Sequence, residues 1–158
     1  MDQQEFIETV GWVFEHSPWV AERAWAKRPF CDFDSLHLAM AKQVELASPD
    51  EQLSLLRAHP DLGTRAKVSD ASAAEQAGAG LAQLTQEEFQ HFTELNDKYK
   101  QKFGFPFLLA VKGYTKQDII RSLQQRLASS HEVEFAEALR QVYRIAALRL
   151  HDVLVEEI

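Results

Sequence analysis

The sequence is short of the residues that mark several common protein classes. Cysteine occurs once, at Cys31 in 158 residues, so no internal disulfide can form, and a reducing compartment is the expected setting. Positive charge is scarce: 17 Lys and Arg against 24 Asp and Glu give a formal net charge of −7. Nucleic-acid binding rests on basic surface, so no nucleic-acid partner is expected. An anionic small substrate would gain nothing from the long-range field and would need a local arginine. Long apolar runs are missing too. A membrane span takes roughly 20 apolar residues, and the longest run here, Phe103 to Val111, contains Gly104 and Pro106. No membrane partner is expected. The opening MDQQEFIETV lacks the basic and apolar regions of a signal peptide. The closing VEEI is not a peroxisomal address. The expected location is the cytoplasm.

The remaining pattern is helical. Apolar residues make up 46% of the chain and charged residues 26%, as in an ordinary soluble protein. The length suits one domain around one hydrophobic core. We therefore expect a single all-α domain over 1–158, with about eight helices. Ser17-Pro18 and Ser48-Pro49 place proline in a first turn. Ser48/Glu51, Thr85/Glu88, Ser129/Glu132 and, more weakly, Thr115/Asp118 have capping-box spacing. Helices are predicted over 3–15, 18–27, 35–47, 50–58, 72–81, 86–103, 116–128 and 131–155. No strand alternation is evident. Phe105 to Val111 is expected to be loop or extended, and Thr64 to Ala71 is the most loop-like stretch. Phe89, Phe92, Asn96, Tyr99 and Phe103 share one helix face, a packing face. Trp12, Trp19 and Trp25 are expected to pack as well.

A few places carry candidate chemistry. His59 precedes Pro60, and proline drives the residue before it out of helical geometry. The helix from 50 should therefore end near His59, leaving its imidazole at a helix C-terminus, where the protonated form is favoured. Histidine titrates near neutrality, which suits an acid–base group; the plain alternative is a surface histidine capping a helix. Ser72 and Glu75 have capping-box spacing, a structural role. The small residues Ala77-Gly78-Ala79-Gly80 behind them suit a close approach, in which case Glu75 and Gln76 face a ligand. Arg149 falls, at about 100° per residue, inside the stripe of Phe135, Leu139, Val142, Ala146 and Val153, whereas Arg140 and Arg144 fall on other faces. An arginine among core positions must be paired. Its partner is either an acidic side chain or an anionic or carbonyl-rich ligand. Lys102 to Gly113, KFGFPFLLAVKG, needs partners for its backbone if it is not helical, and a polar heterocycle can supply some. His16, His37, His91, His131 and His151 share no ligand spacing, so no metal site is expected.

Taken in series, these motifs resemble one family, the 2-oxo-4-hydroxy-4-carboxy-5-ureidoimidazoline (OHCU) decarboxylases, which act last in the route from urate to allantoin. The resemblance lies in His59-Pro60-Asp61-Leu62-Gly63, Ser72-x-x-Glu75-Gln76 with Ala77-Gly78 and Leu81, and Leu95-Asn96 with Tyr99. It continues through Phe103-Gly104-Phe105-Pro106-Phe107 to Val111-Lys112-Gly113 and ends at Arg149 in AALRL. It implies an all-helical fold, usually dimeric, with no metal or organic cofactor and a small ureidoimidazoline substrate. It also implies roles: His59, Glu75 and Arg149 in catalysis, and Pro60, Ser72, Glu75, Gln76, Phe107, Leu108, Leu109, Ala110, Val111 and Arg149 in substrate binding. Two other readings stay open on the residues alone: a helical binding module, and a hydrolase or lyase on a related ureido compound.

Overall fold

Helices begin where the sequence offers a side chain to their first free N–H groups. In the computed structural model, which describes residues 1–64 and 68–156 (the last three by backbone alone), the helices are α1 Gln3–Val10, α2 Trp19–Ala24, α3 Phe33–Glu45, α4 Pro49–Arg57, α5 Asp70–Gly78, α6 Gln86–Phe103, α7 Lys116–Arg126 and α8 His131–Glu156. Short 3-10 turns follow α1, α2 and α5, and no strand occurs among the described residues. The all-α expectation holds. Five of the helices open on a reciprocal capping box: Asp2/Glu5, Asp32/Ser35, Ser48/Glu51, Thr85/Glu88 and Thr115/Asp118. Each box satisfies N–H groups that a helix cannot satisfy itself.

Several expected starts move by a few residues, each for a local reason. Helix α5 starts at Asp70 because the Ser69 hydroxyl accepts the Ser72 N–H. Ser72 is therefore not the cap but lies inside the first turn, buried. The loop expected over 64–71 gives way to helix at its end, and its residues 65–67 lie outside the described residues. At α8 it is the Ser130 hydroxyl, not that of Ser129, that takes an N–H, from Val133. Ser17 does not cap α2; its hydroxyl donates to the Glu15 carbonyl. The helix expected over 3–15 is α-helical only to Val10, with a 3-10 turn over Gly11–Val13. The tryptophans are not core residues. Trp12 is exposed, and Trp19 and Trp25 are half-buried under the guanidinium groups of Arg23 and Arg28.

The chain divides into two compact units: Met1–Ala58 with Val142–Ile158, and His59–Gln141. In the first, α2 packs on α1 and α3 around the fully buried Phe14, Val20, Met40 and Leu55. In the second, the aromatic face of α6 supplies the buried Phe92, Tyr99 and Phe103; Phe105 and Phe107 meet Tyr99 edge-on, and Phe105 lies tilted against Phe103. The described part of the chain holds no helix long and apolar enough to cross a membrane.

The caps titrate. The Thr85 backbone N–H, and after it the Lys116 ammonium, hold the Glu88 carboxyl below its ordinary value. A carboxyl depressed in the folded chain adds stability above its unfolded value and loses it as pH falls through the folded one. Acidification below about pH 4 is therefore expected to lower the melting temperature of the parent chain more steeply than that of Glu88→Gln, whose cap does not titrate. Parallel melting curves for the two would show that this cap contributes nothing.

Candidate functional site

In the second unit, the segment that starts at His59 is fixed at three consecutive residues. Helix α4 ends at Arg57, and Ala58 still has helical backbone angles; His59 then leaves the helix, as its proline neighbour dictates. The Lys100 ammonium lies 2.7 Å from Oδ2 of Asp61. The Asn96 amide donates to the Leu62 carbonyl at 2.8 Å. The Gly63 N–H donates to Oε1 of Gln76 at 3.0 Å. Helix α6 thus supplies two of the three anchors and α5 the third. His59 itself is 7% exposed, so it is not the surface cap that the local sequence also allowed.

Gly63 is the hinge of this segment. Its φ is +75°, and a Cβ there would sit 3.0 Å from Leu84 Cδ1 and 3.3 Å from Phe92 Cγ. The left-handed conformation costs a residue with a Cβ about 1–2 kcal/mol, and the crowding adds to it. Gly63→Ala is expected to lower the melting temperature accordingly and to reduce any activity that depends on His59. A variant that melts with the parent would show that the backbone does not hold this geometry.

Helix α5 turns a short polar stripe inward. Ser72 and Gln76, one turn apart, are buried, and Glu75 beside them is half-buried. Gln76 is already committed through Oε1 to Gly63. A Cβ at Gly78 would meet no atom among the described residues, and Gly80 adopts φ +83° where the helix ends. That glycine serves helix termination.

The run Phe107, Leu108, Leu109, Ala110 and Val111 is buried throughout and belongs to no helix or strand. It is the non-helical segment the sequence suggested. Among the described residues one of its N–H groups finds a protein acceptor, that of Ala110, which donates to Oε1 of Gln141 at 3.0 Å. Buried backbone donors are nearly always paired, so the others in this run are suited to a ligand or water.

Arg149 belongs to the first unit and is buried, as its place in the α8 stripe indicated. Its Nη2 pairs with Oε2 of Glu15 at 2.8 Å, and its Nη1 lies 3.5 Å from the Val13 carbonyl. The acidic side chain that could pair with it is thus present and itself buried. The stripe is more polar than expected. Glu134 and Gln141, seven residues apart on α8, are buried, whereas Phe135 and Leu139 are half-buried. Pro60, Ser72, Glu75, Gln76 and 107–111 belong with His59 to the second unit, and Arg149 belongs to the first. Sequence patterns did not mark Glu15, Glu134 or Gln141. Only the coincidence of polar residues with the α8 packing period pointed to the last two. No group of three His, Cys, Asp or Glu suited to a metal ion occurs among the described residues.

This helical fold is that of known OHCU decarboxylases. A crystal structure of OHCU decarboxylase in the presence of (S)-allantoin superposes with a TM-score of 0.74 over 97% of this chain and 98% of that one, at 22% identity. A crystal structure of (S)-allantoin synthase gives 0.76 at 33% identity, covering 97% of this chain and 51% of that one. The family model for OHCU decarboxylase matches residues 1–151, across both units, and the chain belongs to that family. It is 47% identical over 98% of its length to the 2-oxo-4-hydroxy-4-carboxy-5-ureidoimidazoline decarboxylase of Halalkalicoccus jeotgali, of which it covers 88%. It is 49% identical over 99% of its length to a uric acid degradation bifunctional protein of a Bacillus species (strain TB-90), of which it spans about a third, 31%.

Proposed function

We propose that the chain decarboxylates 2-oxo-4-hydroxy-4-carboxy-5-ureidoimidazoline to (S)-allantoin, the last step of urate oxidation. The observation that carries this reading is the buried His59 heading a segment anchored at Asp61, Leu62 and Gly63. An acid–base group held this way keeps its geometry without help from substrate. The substrate supplies the electron sink. Its C–CO2 bond breaks, the electron pair passes into the conjugated imine and carbon dioxide leaves; the enol so formed gives up its hydroxyl proton to become the carbonyl, and a proton is added at one face of the former imine carbon. Decarboxylases without such a substrate borrow the sink from a cofactor.

In this reading His59 is the acid–base group next to the hydroxyl and carboxylate. Glu75 orients the hydroxyl or ureido nitrogens, with Pro60 and Ser72 lining the same place. Gln76 and the backbone from Phe107 to Val111 read the amide-like edges. Arg149 holds a carbonyl or developing negative charge; its role rests on the family resemblance. The functional form is a homodimer, which light scattering reads directly. The lone, exposed Cys31 suits a reducing cytoplasm.

Incubation with freshly made substrate tests the reading: carbon dioxide release with formation of optically active allantoin supports it, while release of ammonia or a ureido fragment indicates a hydrolase. Turnover is expected to survive exhaustive chelation with EDTA or 1,10-phenanthroline. Activity lost to chelator and restored by one metal ion would overturn the cofactor-free scheme.

A further inference from the structure

Three linked side chains outside the proposed site, Arg126, Glu134 and Tyr99, meet the 107–111 run. The Arg126 guanidinium, at the last turn of α7, donates from Nη1 to the Leu108 carbonyl and from Nε to Oε1 of Glu134. Glu134 lies at the start of α8, fully buried, and also accepts from the Tyr99 hydroxyl of α6. Burial, with the Glu134 acceptor, pushes the Tyr99 phenol upward, so it stays a donor. Arg126 lies 4.5 Å from the centroid of the Phe107 ring, and the Tyr99 ring is 5.4 Å from the same ring.

This arrangement is not the one that stability would choose. A buried ion pair gains little over a well-packed apolar substitute, and here Nη2 of Arg126 is buried with no acceptor among the described residues. What the guanidinium does satisfy is the Leu108 carbonyl. A run with no ladder hydrogen bonds depends on such side-chain contacts to hold its backbone. Arg126 and Gln141 pin the run at two residues, the Leu108 carbonyl and the Ala110 N–H. The N–H groups of Phe107, Leu108, Leu109 and Val111 have no protein acceptor among the described residues.

We propose that Arg126, held by Glu134 and Tyr99, is a positioning residue that fixes the backbone of this run, so that its remaining N–H groups read the amide-like side of the substrate. The proposal rests on the reading of 107–111 as substrate-facing. Two variants test it. Arg126→Lys keeps the charge but cannot serve two acceptors with one planar fork. Tyr99→Phe keeps the ring packing and removes only the hydroxyl. For each, hydrogen exchange over residues 105–111, kcat and KM, and the Kd of allantoin are measured beside the melting temperature.

The expected result is faster exchange in the run, with KM and Kd raised about 10-fold or more and kcat/KM lowered by up to about 10²-fold. The Tyr99→Phe variant should melt close to the parent. Exchange, KM and Kd all within about twofold of the parent would overturn the proposal whatever the melting temperature. So would faster exchange with unchanged KM and Kd, since the run would then be pinned but not substrate-facing. If Arg126→Lys does not fold, Tyr99→Phe decides on the same measurements. If the parent itself turns over no substrate while exchange still depends on Tyr99 and Arg126, the pinning stands and the functional reading fails.

Discussion

His59→Asn and His59→Ala are expected to fold as the parent does and to lose about 10²–10⁴-fold in kcat, the usual worth of general acid–base help. The segment carrying His59 is held through Asp61, Leu62 and Gly63 by side chains from α5 and α6. None of these anchors involves the imidazole, so removing the ring should leave the backbone in place. Circular dichroism and melting temperature establish the fold; steady-state kinetics read the loss. A folded variant with near-parental kcat would reduce His59 to a buried packing residue.

At Arg149 two losses are expected, and they should separate. Glu15→Ala removes the acidic partner of a buried guanidinium. Breaking such a pair from one side costs about 3–5 kcal/mol, which should appear as a large fall in melting temperature. Arg149→Lys keeps a cation opposite Glu15 but loses the planar fork and its fixed donors. It should melt closer to the parent and yet lose about 10²–10³-fold in kcat, the typical cost of removing one preorganised donor to developing charge. Melting and kinetics on one preparation decide the matter. An Arg149→Lys protein with lowered stability but parental kinetics would make Arg149 half of a structural pair and nothing more.

Much of the helix map was legible because helix starts are written locally. A capping residue and its partner lie three positions apart, and the boxes at Ser48, Thr85 and Thr115 form as expected. The errors are local as well. Ser72 has a glutamate at capping-box spacing, yet the fold makes Ser69 the cap through the Ser72 N–H alone, which turns Ser72 inward. His59 could be picked out because the proline and glycine that follow it dictate the backbone shape there. What the sequence could not display is pairing across distance. Nothing near Glu15 announces Arg149, nothing near Arg126 announces the Leu108 carbonyl, and Asn96 was legible as one position on an aromatic face but not as the donor to Leu62. Such partners are set by packing, which no short spacing encodes.

The order of the two units along the chain also sets an order in time. Residues His59–Gln141 are contiguous, so everything the second unit needs has been synthesised before Val142 emerges. The first unit is split, with its closing piece at the far end of the chain. Val13 must wait 136 residues for Arg149, and such non-local closures are the slow ones. In refolding, the contiguous second unit, with the anchored His59 segment, is therefore expected to form before α1 to α4 gain the last turns of α8.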